Sequence, residues 1–226
     1  FMRLYIIRHA DPDYENDSIT PAGHLEARAL ADRLQVEPPD RIFCSPLGRA
    51  RQTMQYTADR LHLTADLQEW MRELSGMRFQ LPPWDDLAAW DVPGELFHTD
   101  RITEAFAGLD FAAKIQAVNQ GSDQFLAQLG YVRQGGRYQC VRPHQDRIAV
   151  FCHNGLGLTW LAHLLQLPLV AVWTSFWLAP TSVTTILFDQ RSPDWAVPRC
   201  LAVGDTAHLH KAGLPILPRG IIANFE

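Results

Sequence analysis

The most constraining feature of the sequence is a short apolar run near its beginning that stops on two polar side chains. Residues 4–7 read Leu-Tyr-Ile-Ile, and Arg8 and His9 follow directly. Apolar side chains on consecutive positions are typical of a strand buried on both faces of a parallel sheet. The run therefore predicts a central strand over residues 3–8, and the pair at its end requires a role.

Helical and strand patterns alternate after this first strand. The next helix has Thr20 as a capping side chain and Pro21 at its first position, and Ala27, Leu30 and Leu34 recur at helical spacing. The further predicted elements are strands at 40–45 and 63–69, a helix at about 47–61, a strand at 148–152, a helix marked by Leu158, Leu161 and Leu165, and closing strands at 182–189 and 199–204. This alternation favours a three-layer α/β/α sandwich with a mostly parallel sheet.

Residues 75–146 interrupt the alternating pattern. They contain Pro82-Pro83, helical patches at about 100–108 and 111–129, and a hairpin pattern that turns at Gly135-Gly136. We interpret residues 2–226 as a single domain in which residues 75–146 are an inserted cap region that selects the substrate.

Composition narrows the class of partner. The chain has 226 residues, a net charge of −5 and only two lysines. Nucleic acids and acidic membrane surfaces both require a basic face, so neither is expected as a partner. The four cysteines lack paired spacing, and no apolar stretch is long enough for a membrane span, so a cytoplasmic location is expected.

Polar side chains follow three of the predicted strands at the point where each strand ends. Arg8 and His9 follow the first strand, residues 45–51 follow the second, and residues 153–155 follow the strand at 148–152. In an open parallel sheet the carboxyl ends of the strands share one edge, where ligands bind. Two histidines and two arginines, His9, His153, Arg8 and Arg49, are therefore expected in one cleft.

This group of side chains is suited to phosphoryl transfer. Arginine binds phosphoryl oxygens through a fork of N–H donors, and neutral imidazole is a competent nucleophile. Two histidines without acid-rich loops make a poor metal pair. The arrangement indicates chemistry through a phosphohistidine, with no metal and no other cofactor.

The order of the motifs resembles the histidine phosphatase (phosphoglycerate mutase-like) superfamily. The matching stretches are RHADPDY, ITPAGHLEARALADRL, SPLGRARQT, LQE, VFCHNG and the TSVTTILFD and GDTAHL tail. The resemblance implies that His9 is the nucleophile, that Arg8 and Arg49 clamp the phosphate with help from Asn154, and that His153 donates to the phosphoryl oxygens. It further implies that Glu69 is the general acid, and that Ser45 and Thr53 orient the loop.

The sequence departs from the family pattern at several positions. Ala10 stands where glycine is frequent, and Asn154 replaces the first glycine after the second histidine. Glu15 occupies the usual position of a phosphate-binding asparagine, which leaves its neighbour Asn16 as a possible substitute. In WMRELSGMRF, Glu73 is a rival to Glu69 for the acid role.

Several other side chains have a less specific interpretation. His208 and His210 supply too few ligands for a metal site, Arg51 fits a surface ion pair, and Cys44 and Cys152 fit buried packing. The side chains that could contact a substrate from residues 75–146 are Trp84, Trp90, Arg78, Arg101, Arg133, Arg137 and Arg142.

Taken together, these patterns predict a metal-independent phosphomonoester hydrolase, similar to histidine acid phosphatases, that acts on a small phosphorylated substrate. A phosphoglycerate mutase-like phosphoryl transferase and a non-catalytic phosphate-binding module are the alternatives. A homodimer is possible, and the sequence does not identify the substrate.

Overall fold

The structure, a computed structural model, describes residues 1–79, 82–97 and 111–221. The strands are β1 (Arg3–Arg8), β2 (Pro12–Asp13), β3 (Ser18–Ile19), β4 (Arg41–Cys44), β5 (Ala65–Leu67), β6 (Tyr131–Gln134), β7 (Arg137–Cys140), β8 (Arg147–Cys152), β9 (Val183–Asp189) and β10 (Trp195–Asp205). The α-helices are α1 (Pro21–Val36), α2 (Gly48–Leu61), α3 (Phe111–Gln128), α4 (Asn154–Leu165), α5 (Leu169–Ser175) and α6 (Ala207–Lys211).

Eight strands form one central sheet in the order β5-β4-β8-β1-β9-β10-β7-β6. The pairs from β5 to β1 are parallel, and the pairs from β1 to β6 are antiparallel. Six strands nevertheless run in the direction of β1, because only β9 and β7 are reversed. The predicted sandwich with a mostly parallel sheet is confirmed.

The first strand contributes to both hydrophobic cores. Tyr5 and Ile7 pack with α1 and α2 on one face, whereas Leu4 and Ile6 pack with α3 and α4 on the other. Such alternation follows from the opposite directions of successive side chains in a strand. A strand buried on both faces holds the residue that follows it, His9, at a rigid position.

Helix α1 begins as the sequence predicts. The Thr20 side chain accepts a hydrogen bond from the amide of Gly23, and Pro21 occupies the first helical position. The same threonine donates to the carboxylate of Asp11 at 2.6 Å. The helix cap is thereby connected to the segment that carries the nucleophile candidate.

The region 75–146 is only partly separate from the sandwich. The predicted hairpin at Gly135-Gly136 is confirmed, but its strands β6 and β7 extend the central sheet. Helix α3 confirms the second helical patch and packs into the main core, whereas the patch at 100–108 lies outside the described residues. The inserted part is therefore narrower than expected, because the region's second half buries its apolar faces in the sandwich.

A small cluster within residues 75–97 has its own apolar contacts. Phe79 and Leu96 are buried in it, with Trp84, Leu87 and Val92 packed around them. Its role in choosing a substrate remains a prediction. None of the described helices is long and apolar enough to cross a lipid bilayer.

Candidate active site

The expected convergence of strand ends is present. Strands β1 and β8 pair in parallel, and the amide of His9 donates to the carbonyl of Cys152 at 2.9 Å. The imidazole of His9 lies 5.2 Å from that of His153, between ring centroids. On the other side of β8, the amide of Ser45 donates to Phe151 at 2.9 Å. Backbone pairing alone thus assembles these three polar segments.

Hydrogen bonds fix the tautomer of His9. Its Nδ1 lies 2.7 Å from the carbonyl oxygen of Ala10, so Nδ1 carries the proton. The Nε–H of Arg49 points at His9 Nε2 from 3.3 Å, which requires a lone pair on Nε2. Burial, and then the charges of Arg8 and Arg49, hold the pKa of His9 well below its usual value. His9 is thus a neutral imidazole with its lone pair at the centre of the site.

Arg49 is oriented by an acidic residue that the sequence analysis did not identify. Its Nη1 pairs with Asp17 at 2.6 Å, and the other oxygen of Asp17 accepts from the amide of Gly48 at 2.6 Å. These bonds lower the pKa of Asp17 although partial burial opposes them. Thr53 accepts from the Ala10 amide and donates to the Arg49 carbonyl, consistent with a role in orienting the loop.

Arg8 is buried and held at one corner of its guanidinium. Its Nη1 donates to the carbonyl of Leu178 at 2.6 Å and to that of Arg219 at 3.0 Å. Its buried Nε has no hydrogen-bond partner among the described residues. Burial lowers the pKa of Arg8, and the strongest opposing interactions come from Tyr14 and Glu73. Nη1 of the guanidinium thus binds two backbone carbonyls, whereas Nε remains able to donate to an anion.

His153 and Ser45 form a buried pair. Nε2 of His153 lies 2.8 Å from Oγ of Ser45, whose oxygen also lies 3.3 Å from the amide of Leu47. Nδ1 of His153 is buried and, within the described part of the chain, unpartnered. If the hydroxyl of Ser45 donates to Nε2, then Nδ1 carries a proton that can be donated to a phosphoryl oxygen.

The structure separates the two candidates for the general acid. Glu69 has a side chain that is 78% exposed and paired with Arg72 at 2.8 Å. Glu73 instead caps α4, where its carboxyl group accepts from the amides of Gly155 at 3.1 Å and Leu156 at 2.8 Å. Glu73, not Glu69, therefore lies beside the cluster.

The position of Glu73 suits a proton donor. Burial raises the pKa of its carboxyl group, although the amides of Leu156, Leu74 and Gly155 oppose that shift. The carboxyl group also interacts with the charge of Arg8. Trp90 and Glu73 both lie against Gly155, because a Cβ on Gly155 would be 2.6 Å from the Trp90 ring and 2.9 Å from the Glu73 carboxyl group. The amides at the start of α4, which could have faced an anion, are occupied by this carboxyl group.

The two asparagine candidates are engaged elsewhere. Asn154 accepts from the amide of Leu178 at 3.2 Å and so holds the loop that carries an acceptor for Arg8. Asn16 is exposed, and its side chain donates to Asp13 at 2.8 Å. The structure does not bring Asn16 to the cluster, and it gives the Asn154 oxygen a partner in the loop.

The backbone beneath the nucleophile is supported by an unusual residue. Thr181 has a φ of 57°, a left-handed conformation that β-branched residues rarely adopt. Its amide lies 3.1 Å from the Arg8 carbonyl and 3.3 Å from that of His9. His208 is buried, and its Nε2 lies 3.0 Å from Oγ1 of Thr181. Burial lowers the pKa of His208 to about 4, so it is neutral.

A buried carboxylate pair beside the nucleophile was also missed from the sequence. The amide of Asp11 donates to Glu26 at 2.7 Å, and the carboxylate of Asp11 binds Thr20 and Arg219. Burial, with the charge of Asp11, raises the pKa of Glu26 to about 7. Asp11 lies in RHADPDY and Glu26 in ITPAGHLEARALADRL, but the resemblance implied no role for either acid, so the sequence did not identify the pair.

The remaining candidates lie outside the cluster. His210 is exposed while His208 is buried, so the two do not face one ion, and residues 1–79, 82–97 and 111–221 contain no group of three or more His, Cys, Asp or Glu that could hold a metal. Burial raises the pKa of Cys44 to about 12, which makes its thiol unreactive, and Cys152 is likewise buried.

The arginines of the 75–146 region have structural partners. Arg133 pairs with Asp123, Arg142 binds the carbonyl of Gln128, and Arg137 stacks on Trp195. Arg78 donates to the Asp86 carbonyl, and Arg101 lies outside the described residues. None of the four described arginines forms a hydrogen bond with His9 or His153 among the described residues.

Comparison with known proteins gives a family. Residues 4–199 match the family model of the histidine phosphatase superfamily (branch 1). A protein of Hydrogenobacter thermophilus with a provisional phosphoserine phosphatase name is 34% identical over 82 residues, which are 32% of this chain and 40% of that protein. The match thus spans less than half of that relative.

Solved structures share the fold. A phosphoserine phosphatase variant from Entamoeba histolytica, solved with phosphoserine, has a TM-score of 0.63 and 22% identity, over 92% of this chain and 100% of that one. The α-ribazole phosphatase of Shigella flexneri has a TM-score of 0.62 and 18% identity, over 91% and 97%. Together with the family match, which covers most of the sequence, these findings confirm the expectation from the motifs: the chain belongs to the histidine phosphatase superfamily.

Proposed function

We propose that this protein is a metal-independent phosphomonoester hydrolase that acts through a phosphohistidine on Nε2 of His9. The observation that carries the proposal is the neutral, buried His9, whose lone pair is fixed between Arg49 and the Ala10 carbonyl. Around it lie Nε of Arg8 and Nδ1 of His153, neither of which has a hydrogen-bond partner among the described residues. A nucleophile surrounded by donors for phosphoryl oxygens is the arrangement that in-line phosphoryl transfer requires.

In the first step, Nε2 of His9 forms a bond to phosphorus as the bond between phosphorus and the leaving oxygen breaks. Arg8, Arg49 and His153 stabilise the charge on the transferred group. The proton for the leaving alkoxide comes from Glu73, whose raised pKa keeps it protonated at a higher pH than an exposed glutamate.

In the second step, water attacks the phosphohistidine and the bond between nitrogen and phosphorus breaks. The carboxylate of Glu73 takes the proton from that water, which returns both residues to their starting states. The arginines supply the positive charge that a metal ion supplies in other phosphoryl transfers, so the proposed cycle requires no cofactor.

The substrate class is a small phosphomonoester. Relatives in the fold family are named for phosphoserine, α-ribazole phosphate and glucosyl-3-phosphoglycerate, which share a phosphate ester on a small organic group. At 18–22% sequence identity, the similarity to these proteins indicates a shared fold and does not identify the substrate.

The test is hydrolysis of a panel of alkyl and aryl phosphomonoesters in the presence of EDTA, with 3-phosphoglycerate included to detect isomerisation. We expect hydrolysis that EDTA does not inhibit and that His9→Ala abolishes for every substrate. Isomerisation without phosphate release would identify a mutase instead. Binding of phosphate without turnover of any ester would identify a non-catalytic module.

A further inference from the structure

A segment outside the family match returns to the phosphate clamp. Residues 214–221 follow α6, whereas the family model ends at residue 199. The carbonyl of Arg219 accepts from Arg8 Nη1 at 3.0 Å and from the indole of Trp177 at 3.1 Å. Gly220 has a φ of 87°, and a Cβ there would lie 4.0 Å from Arg8 Nη2. We call residues 214–221 the C-terminal strap.

The side chain of Arg219 fastens the strap to a second point. Its Nε donates to Oδ1 of Asp11, and its Nη2 donates to Oδ2 of the same carboxylate at 3.2 Å. Asp11 is buried and lies two residues after His9, whereas the Arg219 side chain is 48% exposed. The hydrogen bond with Asp11 raises the pKa of Arg219. A partly exposed side chain of the strap is therefore anchored to a buried carboxylate close to His9 in the sequence.

The strap contact affects how Arg8 is presented. Arg8 has two described acceptors on Nη1, the carbonyls of Leu178 and Arg219, and both come from loops. Together they restrict the rotation of the guanidinium, and its buried Nε has no hydrogen-bond partner among the described residues. A planar fork binds phosphate well only when its plane is fixed, because the two N–H bonds must align together.

We propose that Arg219 is a positioning residue, which fixes the phosphate-binding orientation of Arg8 by tying the C-terminal strap to Asp11. The inference rests on the proposed function, since it takes Arg8 as the phosphate clamp. A positioning role predicts the same loss for every ligand that carries a phosphoryl group. Direct contact between Arg219 and the rest of a substrate would instead change some substrates and leave others unaffected.

The experiment measures the affinity for inorganic orthophosphate by calorimetry, together with kcat and KM for one aryl and two alkyl phosphomonoesters. Arg219→Ala is expected to weaken orthophosphate binding about tenfold, because it removes the charge-assisted contact with Asp11 that holds the strap, and with it the backbone carbonyl that accepts from Arg8. KM should rise by a similar factor for all three esters, with a smaller change in kcat. Arg219→Lys, which keeps the charge, should lie between the wild type and Arg219→Ala.

Two further variants sharpen the result. The double variant Arg8→Ala/Arg219→Ala should bind orthophosphate no more weakly than Arg8→Ala alone, because Arg219 acts through Arg8. Arg191→Ala is the control, since Arg191 forms a comparable ion pair with Asp189 on an exposed surface. Its orthophosphate affinity should equal that of the wild type.

The inference is overturned if Arg219→Ala and Arg219→Lys bind orthophosphate as the wild type does, or if KM rises for only one class of ester. Additive losses in the double variant would also refute it. Calorimetry does not depend on turnover. A protein that hydrolyses no ester but loses orthophosphate affinity in Arg219→Ala would therefore refute the hydrolase and support the positioning role.

Discussion

Nε of Arg49 lies 3.3 Å from Nε2 of His9, on the side of the imidazole opposite the hydrogen bond to Ala10. A guanidinium cannot accept a proton, so this contact is possible only while Nε2 is unprotonated. The same arginine that would bind a phosphoryl oxygen therefore also keeps Nε2 of His9 unprotonated. Nucleophile and clamp are one hydrogen-bonded unit.

The choice of general acid can be decided by two matched substitutions. Glu73→Gln keeps one of the two oxygens that accept from the amides at the start of α4 but cannot supply the carboxyl proton, so kcat on an alkyl phosphate should fall by about 10²–10⁴-fold. The loss should be smaller on an aryl phosphate, whose leaving group needs little protonation. Glu69→Gln should retain the wild-type rate on both, because that side chain is exposed and paired with Arg72. A larger loss in Glu69→Gln would restore Glu69 as the acid.

The charge state of His9 should be visible by NMR. Burial and the charges of Arg8 and Arg49 lower its pKa well below 6.5, so the neutral form persists as the pH falls from 8 to 6. In protein labelled with ¹⁵N-histidine, the His9 signals, assigned by their loss in His9→Gln, should show no titration in that range. Arg49→Ala removes one charge and should move the midpoint upward. A wild-type midpoint at or above 6.5 would contradict the neutral nucleophile.

Glu26 should make the protein less stable as the pH rises. Its pKa is about 7 in the folded state against 4.5 when exposed, so the folded protein holds an additional proton between these values. The unfolding free energy then decreases as the pH rises from 4.5 to 7, by up to about 3 kcal/mol. Glu26→Gln keeps the acceptor for the Asp11 amide without the charge, and should be more stable than the wild type at pH 8.

Urea unfolding at pH 5 and pH 8 checks this sign. The advantage of Glu26→Gln should be present at pH 8 and nearly absent at pH 5, where the wild-type carboxyl group is protonated. Glu37→Gln, at an exposed position after α1, serves as the control and should show little difference at either pH. A Glu26→Gln protein that is less stable than the wild type at pH 8 would contradict the account.

His208 should support the nucleophile through Thr181. His208→Ala removes the hydrogen bond to Thr181 Oγ1, which still donates to the carbonyl of Pro180, and such a hydrogen bond contributes about 0.5–1.5 kcal/mol to stability. We expect a loss of stability of that size in urea unfolding and a lower kcat/KM, because Thr181 holds the carbonyls of Arg8 and His9. His210→Ala, an exposed neighbour on α6, should change neither. Equal effects from the two histidines would contradict this role.

The parts of the site that could be predicted are those fixed by strand ends. His9 and His153 follow β1 and β8, and the pairing of two buried strands brings their ends together whatever the loops do. Arg49 lies in the first turn of α2, shortly after the end of β4, so the position of β4 in the sheet constrains it as well. Local pattern and sheet geometry are sufficient for these residues.

The parts that could not be predicted depend on chain direction in short irregular segments. A 3₁₀ turn at Glu69–Met71 follows β5, and it directs Glu69 to solvent and Glu73 to α4. Sequence order alone does not show which of two glutamates four residues apart points inward. The pattern LQE therefore led to a glutamate that the structure places on the exposed side of that turn.

The contacts of Arg219 and Thr181 are long-range. Arg219 meets Arg8 and Asp11 across more than 200 residues of sequence and lies outside the matching motifs, and Thr181 stands in TSVTTILFD, where the resemblance implied no role for it. The extent of the inserted region likewise depends on long-range pairing, because the hairpin of β6 and β7 joins the central sheet through β10. Such pairings are properties of the assembled fold.

The central claim is that His9 carries the phosphoryl group on Nε2. The most direct measurement is rapid acid-free quenching of the enzyme during turnover of a ³²P-labelled phosphomonoester, followed by peptide mapping and NMR or mass-spectrometric assignment of the modified nitrogen. The account predicts an acid-labile, base-stable label on Nε2 of His9 that forms and decays at rates consistent with kcat and is absent from His9→Ala. Steady hydrolysis with no such label, or with full activity in His9→Ala, would contradict it.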